Sequence, residues 1–206
     1  MNATDAMFYI AVLIMSVVIH EVAHGYVALW YGDKTALHAK RLTLNPVRHL
    51  DLFGSIIIPL VLFLANSPFM FGWAKPVPYN PDNLSDKKWG SIAVAAAGIV
   101  ANFSIAIVFG LFLRFASDFG MSEQLVYIVS LVVIVNLILA IFNLIPLPPL
   151  DGSKILFPLL PLSFQPFLAL IEQYSFVLLI LFVMFVPNFI YPALSFFFTL
   201  ITGLYF

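Results

Sequence analysis

Long apolar runs recur along this chain, and they constrain its fold more than any other feature. Most of them reach the roughly 20 residues that an α-helix needs to cross the hydrocarbon core of a bilayer. Only 9% of the residues are charged and 63% are hydrophobic, whereas about a quarter of a soluble domain is charged. The chain is therefore predicted to be an all-α polytopic protein in a lipid bilayer. Five transmembrane helices are predicted, from the runs at 7–31, 89–116, 124–143, 167–186 and 189–204, the last two separated by Pro187 and Asn188.

Charge and cysteine content exclude several classes of function. The formal net charge is -1 and no basic block is present, so no nucleic-acid partner is expected. The chain has no cysteine, which excludes disulfide bonds and thiolate metal ligands. No internal repeat or low-complexity linker is visible, so residues 1–206 are predicted to form a single membrane-embedded domain.

Positive charges predict the orientation of the chain across the membrane. The polar stretch 33–52 is the densest in Lys and Arg, so the positive-inside rule places it on the cytoplasmic side and the N-terminus outside. If the interrupted apolar run at 53–71 crossed the membrane fully, the three lysines that follow it would lie outside. A re-entrant 53–71 segment keeps them inside and is the preferred prediction, since non-helical backbone is tolerated at membrane depth where protein covers it. The prolines of 72–81 predict turns and short extended elements.

The first apolar run contains the sequence H-E-V-A-H, with His20, Glu21 and His24. Histidines four apart on a helix share one face and can bind one metal ion. Glu21 lies about 60° around the helix from His24, where a carboxylate can take a proton from a metal-activated water. The alternative is a chance match with hydrogen-bonded interior histidines. Three ionisable groups at membrane depth cost a few kcal/mol each unless they are paired, hydrated or metal-bound, so one Zn²⁺ per chain is the preferred prediction.

Catalytic zinc typically has three protein ligands, so one more must come from elsewhere in the chain. Asp151 is favoured, because it is the only carboxylate in a long apolar stretch and the prolines of N-L-I-P-L-P-P-L-D-G open the helix around it. The alternative role for Asp151 is N-cap of a helix that begins at Gly152. A set of two histidines and one carboxylate also suits iron or cobalt.

Several polar residues outside the motif have weaker predicted roles. Asn102 and Asn143 are interpreted as residues for substrate binding or structural support. Asn136 is expected to form a buried interhelical hydrogen bond. The remaining three are expected at the surface (His38 and His49) and at a turn or helix cap (Asp51).

The motifs H-E-V-A-H and N-L-I-P-L-P-P-L-D-G, in this order, resemble those of the site-2 proteases, the zinc-dependent intramembrane metalloproteases. The segments A-G-I-V-A-N-F (97–103) and G-W-A-K-P-V-P (72–78) are similar to supporting segments of that family. The stretch R-L-T-L-N-P-V-R-H-L-D-L-F-G (41–54) resembles the compact prokaryotic branch, and no PDZ or CBS domain is recognisable. The resemblance covers residues 10–156.

The resemblance implies both a fold and an activity. The implied zinc ligands are His20, His24 and Asp151, with Glu21 as the catalytic acid–base. A three-helix catalytic core would occupy about 7–156, followed by C-terminal helices at about 165–206. The substrates would be transmembrane helices of other membrane proteins, cut in regulated intramembrane proteolysis. The expected location is a prokaryotic cell membrane, with the active site opening to the cytoplasm.

Two alternatives to cleavage within the bilayer are considered. The first is a membrane zincin that cuts loops or soluble ends. The second is a metal-binding transporter or a catalytically silent binding protein, although transporters usually contain repeats with matching broken helices. If membrane helices are the substrates, they must unwind locally before cleavage. The proline-rich 72–81 segment is then a candidate edge for pairing with the unwound strand.

Overall fold

The computed structural model of the chain describes residues 3–58, 61, 64, 74–116 and 118–205. Within these residues the structure is helical and contains no strand. The α-helices are α1 (Ala3–Trp30), α2 (Thr35–His38), α3 (Lys87–Arg114), α4 (Glu123–Asn143), α5 (Asp151–Leu156), α6 (Gln165–Gln173) and α7 (Ser175–Thr202). Shorter 3₁₀ turns lie at Pro46–His49, Pro81–Asn83, Phe157–Leu159 and Leu162–Phe164, and a π-helical segment at Leu52–Ile57.

Side-chain caps determine where the two central helices begin. The Asp86 carboxylate accepts a hydrogen bond from the Trp89 N–H at 2.8 Å and caps α3. The Ser122 hydroxyl accepts one from the Leu125 N–H at 3.3 Å and caps α4. Such caps satisfy N–H groups that have no partner inside the helix. They therefore start both helices within two residues of the predicted positions.

Helices α1, α3 and α4 pack against one another and form the centre of the molecule, as the three-helix core predicts. The apolar contacts between α3 and α4 continue onto α7. Their buried members are Ala106 and Leu113 of α3, Val129, Val133 and Leu137 of α4, and Ile190, Leu194 and Phe198 of α7. The short helix α5 packs against α3, which brings the start of α5 next to α1.

The membrane-spanning helices confirm the all-α polytopic class but not the count of five. In the described part of the chain, three helices are long and apolar enough to span a bilayer: Met7–Trp30, Lys87–Arg114 and Glu123–Asn143. A fourth span results if Leu162–Gln173 and Ser175–Val183, which meet at 68°, count as one. The predicted break at Pro187 and Asn188 is wrong, because α7 continues through both and the break lies at Tyr174. A membrane helix tolerates proline where neighbouring groups compensate for the one hydrogen bond that it removes.

The region between α2 and α3 tests only some of the predictions made for it. Most of 53–71 lies outside the described residues, so its re-entrant path stays a prediction. The Asp51 carboxylate accepts hydrogen bonds from the Phe53 and Gly54 N–H groups, which confirms its role as a cap. Residues 74–80 have no regular secondary structure, so the predicted extended elements are not strands there.

Candidate metal centre

The two histidines of H-E-V-A-H lie side by side on α1. Their ring centroids are 4.6 Å apart and the rings are nearly perpendicular, at 87°. Both side chains are buried, His20 with 6% and His24 with 8% of its surface exposed. Neutral imidazoles at this depth need partners for both ring nitrogens, since an unpaired buried polar group is costly.

One nitrogen of each ring is held by a neighbour on α3. The His20 Nδ1 lies 2.6 Å from Asn102 Oδ1, and the His24 Nδ1 lies 2.6 Å from the Val94 carbonyl oxygen. Asn102 uses its NH₂ group elsewhere, in hydrogen bonds to the Ser16 carbonyl and to Asn136. Each Nδ1 must therefore carry the proton and donate it, which leaves an unprotonated Nε2 on both rings.

Asp151 lies in the first turn of α5 and faces both Nε2 atoms. Its Oδ2 is 3.1 Å from His20 Nε2 and 3.1 Å from His24 Nε2. Its Oδ1 accepts a hydrogen bond from the Lys154 ammonium at 3.1 Å. The N-cap position of α5 is occupied by Leu150, and Asp151 makes no capping hydrogen bond. The N-cap alternative for Asp151 is therefore wrong.

This donor set fits a zinc ion. Zinc bonds of about 2.0–2.2 Å to N and O in a tetrahedral site place neighbouring ligand atoms roughly 3.3 Å apart. The 3.1 Å separations between Asp151 Oδ2 and the two Nε2 atoms match that spacing. Each histidine also has the outer hydrogen bond that usually orients a metal-binding imidazole. The two Nε2 atoms and Asp151 Oδ2 would hold the ion.

Glu21 could in principle compete with Asp151 as the third ligand. Ligand atoms of His20, Glu21 and His24 lie within 4.8 Å of one another. However, Glu21 Oε2 accepts a hydrogen bond from the Val77 N–H at 2.8 Å, whereas Asp151 reaches both imidazoles. The geometry therefore favours Asp151 over Glu21 as the third ligand.

A small cavity of about 90 Å³ opens next to these residues. Its walls include Glu21, His24, Val77, Val94, Asp151 and Lys154. A water molecule fits there, but a peptide does not, because sites for drug-sized ligands measure about 300–1,000 Å³. The cavity thus brings Glu21, His24 and Asp151 to one small space.

A buried polar network lies behind His20. Asn102 and Asn136 are fully buried, and Asn102 Nδ2 donates to Asn136 Oδ1 at 2.8 Å. Asn136 Nδ2 in turn donates to Ser16 Oγ at 2.9 Å, which joins α1, α3 and α4. The interhelical hydrogen bond predicted for Asn136 is confirmed. Asn102 lies behind the imidazole, in a position to support His20 rather than to contact a substrate in the cavity.

Asn143 is not brought to the centre in this way. Its side-chain amide donates to the Leu139 carbonyl one turn earlier on α4, at 3.0 Å. It is not among the residues that line the cavity. The structure thus brings Asn102 to the histidines but leaves Asn143 outside the donor set.

The two histidines predicted at the surface differ from each other. His38 is exposed, as expected. His49 is 1% exposed, and its Nε2 lies 2.8 Å from the Thr43 carbonyl oxygen. The surface prediction for His49 is wrong, because the polar segment folds back on itself and encloses the ring.

Four partners of the site escaped the sequence analysis. The Val94 carbonyl and the Val77 amide are backbone groups, and residue type does not predict which backbone groups a side chain will bind. Ser16 precedes the zinc motif by one helical turn and shares a face with His20, a spacing that could have indicated it. Lys154 lies three residues after Asp151, so a helix beginning at Asp151 would place the two together.

The protein has membrane-spanning helices, and they bring together two histidines, a neighbouring glutamate and an aspartate distant in the chain. This combination defines an integral membrane metallopeptidase. The chain matches the family model of peptidase family M50 over residues 8–127 and 118–186. It belongs to that family and is an intramembrane zinc metalloprotease of the site-2 protease type.

Three relatives carry zinc metalloprotease in their names. YwhC of Bacillus subtilis is 38% identical over 183 residues, which cover 85% of this chain and 80% of the relative. MJ0392 of Methanocaldococcus jannaschii is 29% identical over 144 residues, covering 70% of this chain and 32% of the relative. Rip2 of Mycolicibacterium smegmatis is 27% identical over 173 residues, covering 83% of this chain and 64% of the relative. No solved structure matches the chain.

Proposed function

We propose that His20, His24 and Asp151 hold one zinc ion and that Glu21 is the acid–base with which the protein cleaves transmembrane segments of other membrane proteins. The observation that carries this proposal is the position of Asp151 Oδ2, 3.1 Å from both Nε2 atoms. Asp151 follows His20 by 131 residues and His24 by 127 residues in the chain, yet the three side chains meet there. The catalytic site would lie in a single membrane domain, in a prokaryotic cell membrane, and open to the cytoplasmic side.

Each residue of the site then has a separate task. When bound, zinc polarises the scissile carbonyl and lowers the pKa of a water molecule to about 7. Glu21 takes a proton from the attacking water and delivers it to the leaving amine. Its Oε2 is held by the Val77 N–H, so Oε1 is the oxygen available for proton transfer. Asn102 and the Val94 carbonyl keep the imidazoles in the tautomer that leaves Nε2 unprotonated.

The size of the cavity supports a requirement for substrate unwinding. A space of about 90 Å³ has no room for an intact helix, whose diameter with side chains is about 10–12 Å. An extended strand is narrower than a helix but also exceeds this volume, so it enters only when the residues that cover the site move aside. Among these are Pro76, Val77 and Tyr79, which belong to the proline-rich segment.

Zinc content tests the ligands without a known substrate. Detergent-purified wild type and Glu21→Gln are expected to contain one zinc per chain, and Asp151→Ala much less. Cleavage is then measured with labelled transmembrane peptides in liposomes, some carrying a central Gly-Pro pair that favours unwinding. Wild type should cleave these peptides within the helix, and Glu21→Gln should not.

Three results would contradict the proposal. Full zinc retention in Asp151→Ala would remove Asp151 from the ligand set. Unchanged cleavage by Glu21→Gln would exclude Glu21 as the acid–base. Faster cleavage of soluble ends than of helix interiors would favour a membrane zincin with juxtamembrane substrates.

A further inference from the structure

Arg41 is a buried cation that the zinc chemistry does not use. It follows α2 and is only 7% exposed, although arginine is rarely buried without partners. Its Nη2 donates to the Lys75 carbonyl at 2.7 Å and to the Pro76 carbonyl at 3.3 Å. Its Nε is buried and has no hydrogen-bond partner among the described residues. A charge buried at this cost calls for an explanation.

The segment that Arg41 holds is the one that contacts Glu21. Within three residues, the Lys75 N–H donates to the His49 carbonyl at 2.8 Å and the Val77 N–H donates to Glu21 Oε2 at 2.8 Å. Residues 75–77 are thus fixed by the polar 41–49 stretch on one side and by the glutamate on the other. Both N–H groups of residues 75–77 and two of their three C=O groups are bonded inside the chain, so this part of the candidate substrate-pairing edge is occupied.

Packing against α1 supports the same arrangement. Val77 is 5% exposed. A Cβ at Gly25 would lie 2.5 Å from Leu42 Cδ2 and 2.8 Å from Val77 Cγ1. Because Gly25 has no side chain, Leu42 and Val77 can both approach α1 there. Glu21 is also close enough to Arg41 for an electrostatic interaction between them.

We propose that Arg41 is a positioning residue for catalysis. By holding the Lys75 and Pro76 carbonyls it places the Val77 N–H on Glu21 Oε2, and so fixes the carboxylate beside the metal ligands. The positive charge of Arg41 complements Glu21 across the same segment. Because proton transfer requires the base within hydrogen-bond reach of the water, a free carboxylate would be correctly placed only part of the time. This inference rests on the proposed role of Glu21 as the acid–base.

Hydrogen–deuterium exchange can test this positioning directly. Pro76 and Pro78 have no N–H, so exchange within 75–79 reports only the Lys75, Val77 and Tyr79 amides. In zinc-loaded wild type we expect the first two amides to be protected. In Arg41→Met we expect the Lys75 and Val77 amides to exchange at least about tenfold faster. Without the arginine, the hydrogen bonds from these amides to the His49 carbonyl and to Glu21 are no longer held in place. Zinc content should stay at one per chain.

Three further variants separate the contributions. Glu21→Ala should expose the Val77 amide and leave Lys75 protected. Arg41→Lys keeps the charge but not the guanidinium, and should show intermediate exchange. Arg48→Met is the matched control, because Arg48 lies exposed in the same stretch, and its exchange should equal that of wild type.

Kinetics on a labelled transmembrane peptide complete the test. For Arg41→Met we expect kcat to fall about tenfold with little change in KM, because the base and not the binding surface is displaced. For Arg41→Lys we expect kcat to recover in part.

Wild-type protection of the Val77 amide in Arg41→Met would overturn the inference, and so would an unchanged kcat. If Arg41→Met does not fold, the same two measurements on Arg41→Lys decide. Failure of the proposed function is recognised separately: purified wild type would then contain no zinc, or Glu21→Gln would still cleave the peptide.

Discussion

Replacement of Gly98 by Ala tests whether the His20 ring lies where zinc binding requires it. Gly98 is on the face of α3 that meets α1. A Cβ built on Gly98 would lie 2.5 Å from Cε1 and 2.6 Å from both nitrogens of the His20 ring. The ring cannot turn aside at low cost, since Asn102 holds its Nδ1 and Asp151 faces its Nε2.

The size of the effect follows from these distances. Ordinary contact begins at about 3.4 Å, so the ring or the helix must move by about 0.9 Å. Metal–ligand distances tolerate deviations of about 0.2 Å. Loss of a partner that merely orients a ligand costs about 10–100-fold in metal affinity, and Gly98→Ala displaces the ligand itself. We therefore expect zinc affinity to fall by at least that factor.

The assay is zinc competition with a chromophoric chelator in detergent, with helix content followed by circular dichroism. Alanine is favoured over glycine inside a helix by about 1 kcal/mol, so α3 should stay folded in the variant. Gly110→Ala is the matched control on the same helix. There the new Cβ would press on the Cγ2 methyl of Ile201 on α7, so the strain falls on the contact between α3 and α7 and not on the His20 ring, and zinc affinity should be that of wild type. Wild-type affinity in Gly98→Ala would refute the placement of His20 as a ligand.

Three further predictions concern Asn102 and Lys154, which lie at the site, and Asp33, which follows α1 outside it. Asn102→Ala removes the acceptor for His20 Nδ1, and zinc affinity measured by the same competition should fall about 10–100-fold. Lys154→Met frees Asp151 Oδ1, which can then bind the ion as well; X-ray absorption of the zinc-loaded variant should show more oxygen ligands than wild type. Burial alone would raise the pKa of Asp33, but two hydrogen bonds from Thr35, one from the Asn80 N–H and one from the Asn83 side-chain amide outweigh it and hold that pKa below its usual value. Because the folded pKa is lower than the unfolded value of about 3.9, this stabilisation is complete above about pH 4 and is lost as pH falls through the folded pKa. Asp33→Asn should therefore lower the thermal unfolding midpoint at pH 7, and the difference from wild type should shrink in acid.

Much of the donor set could be predicted because the membrane makes ionisable residues conspicuous. His20, Glu21 and His24 stand out in an apolar run, and helix geometry alone relates them to one another. Asp151 stands out in the same way, although its distance to the histidines depends on how α5 packs against α3. The helix bounds of α1, α3 and α4 were predictable for a similar reason, since long apolar runs end where polar residues begin.

Contacts that depend on tertiary approach could not be predicted. The polar stretch 41–49 has the composition of a surface loop, yet Arg41 and His49 are buried. Arg41 binds the Lys75 and Pro76 carbonyls, and His49 binds the Thr43 carbonyl. Pro187 is a strong helix breaker in water, yet the end of the preceding helix lies at Tyr174 instead. For Arg41, hydrogen bonds to the distant residues Lys75 and Pro76 outweigh the local preference, whereas Pro187 is tolerated inside α7 as prolines are in other membrane helices.

The relation between helix packing and the metal centre is closest on α3. Gly98 and Asn102 are four residues apart and so occupy the same face of the helix. Gly98 provides the space that the flat side of the His20 ring needs, and Asn102 provides the acceptor for its Nδ1. A single turn of α3 therefore determines both how near α1 can approach and which nitrogen of His20 is left for zinc. Because Asn102 also binds Ser16 and Asn136, a change in the contact between α1, α3 and α4 is transmitted to the ring. Substitutions at Gly98 or Asn102 should therefore change both zinc affinity and the packing of the three core helices.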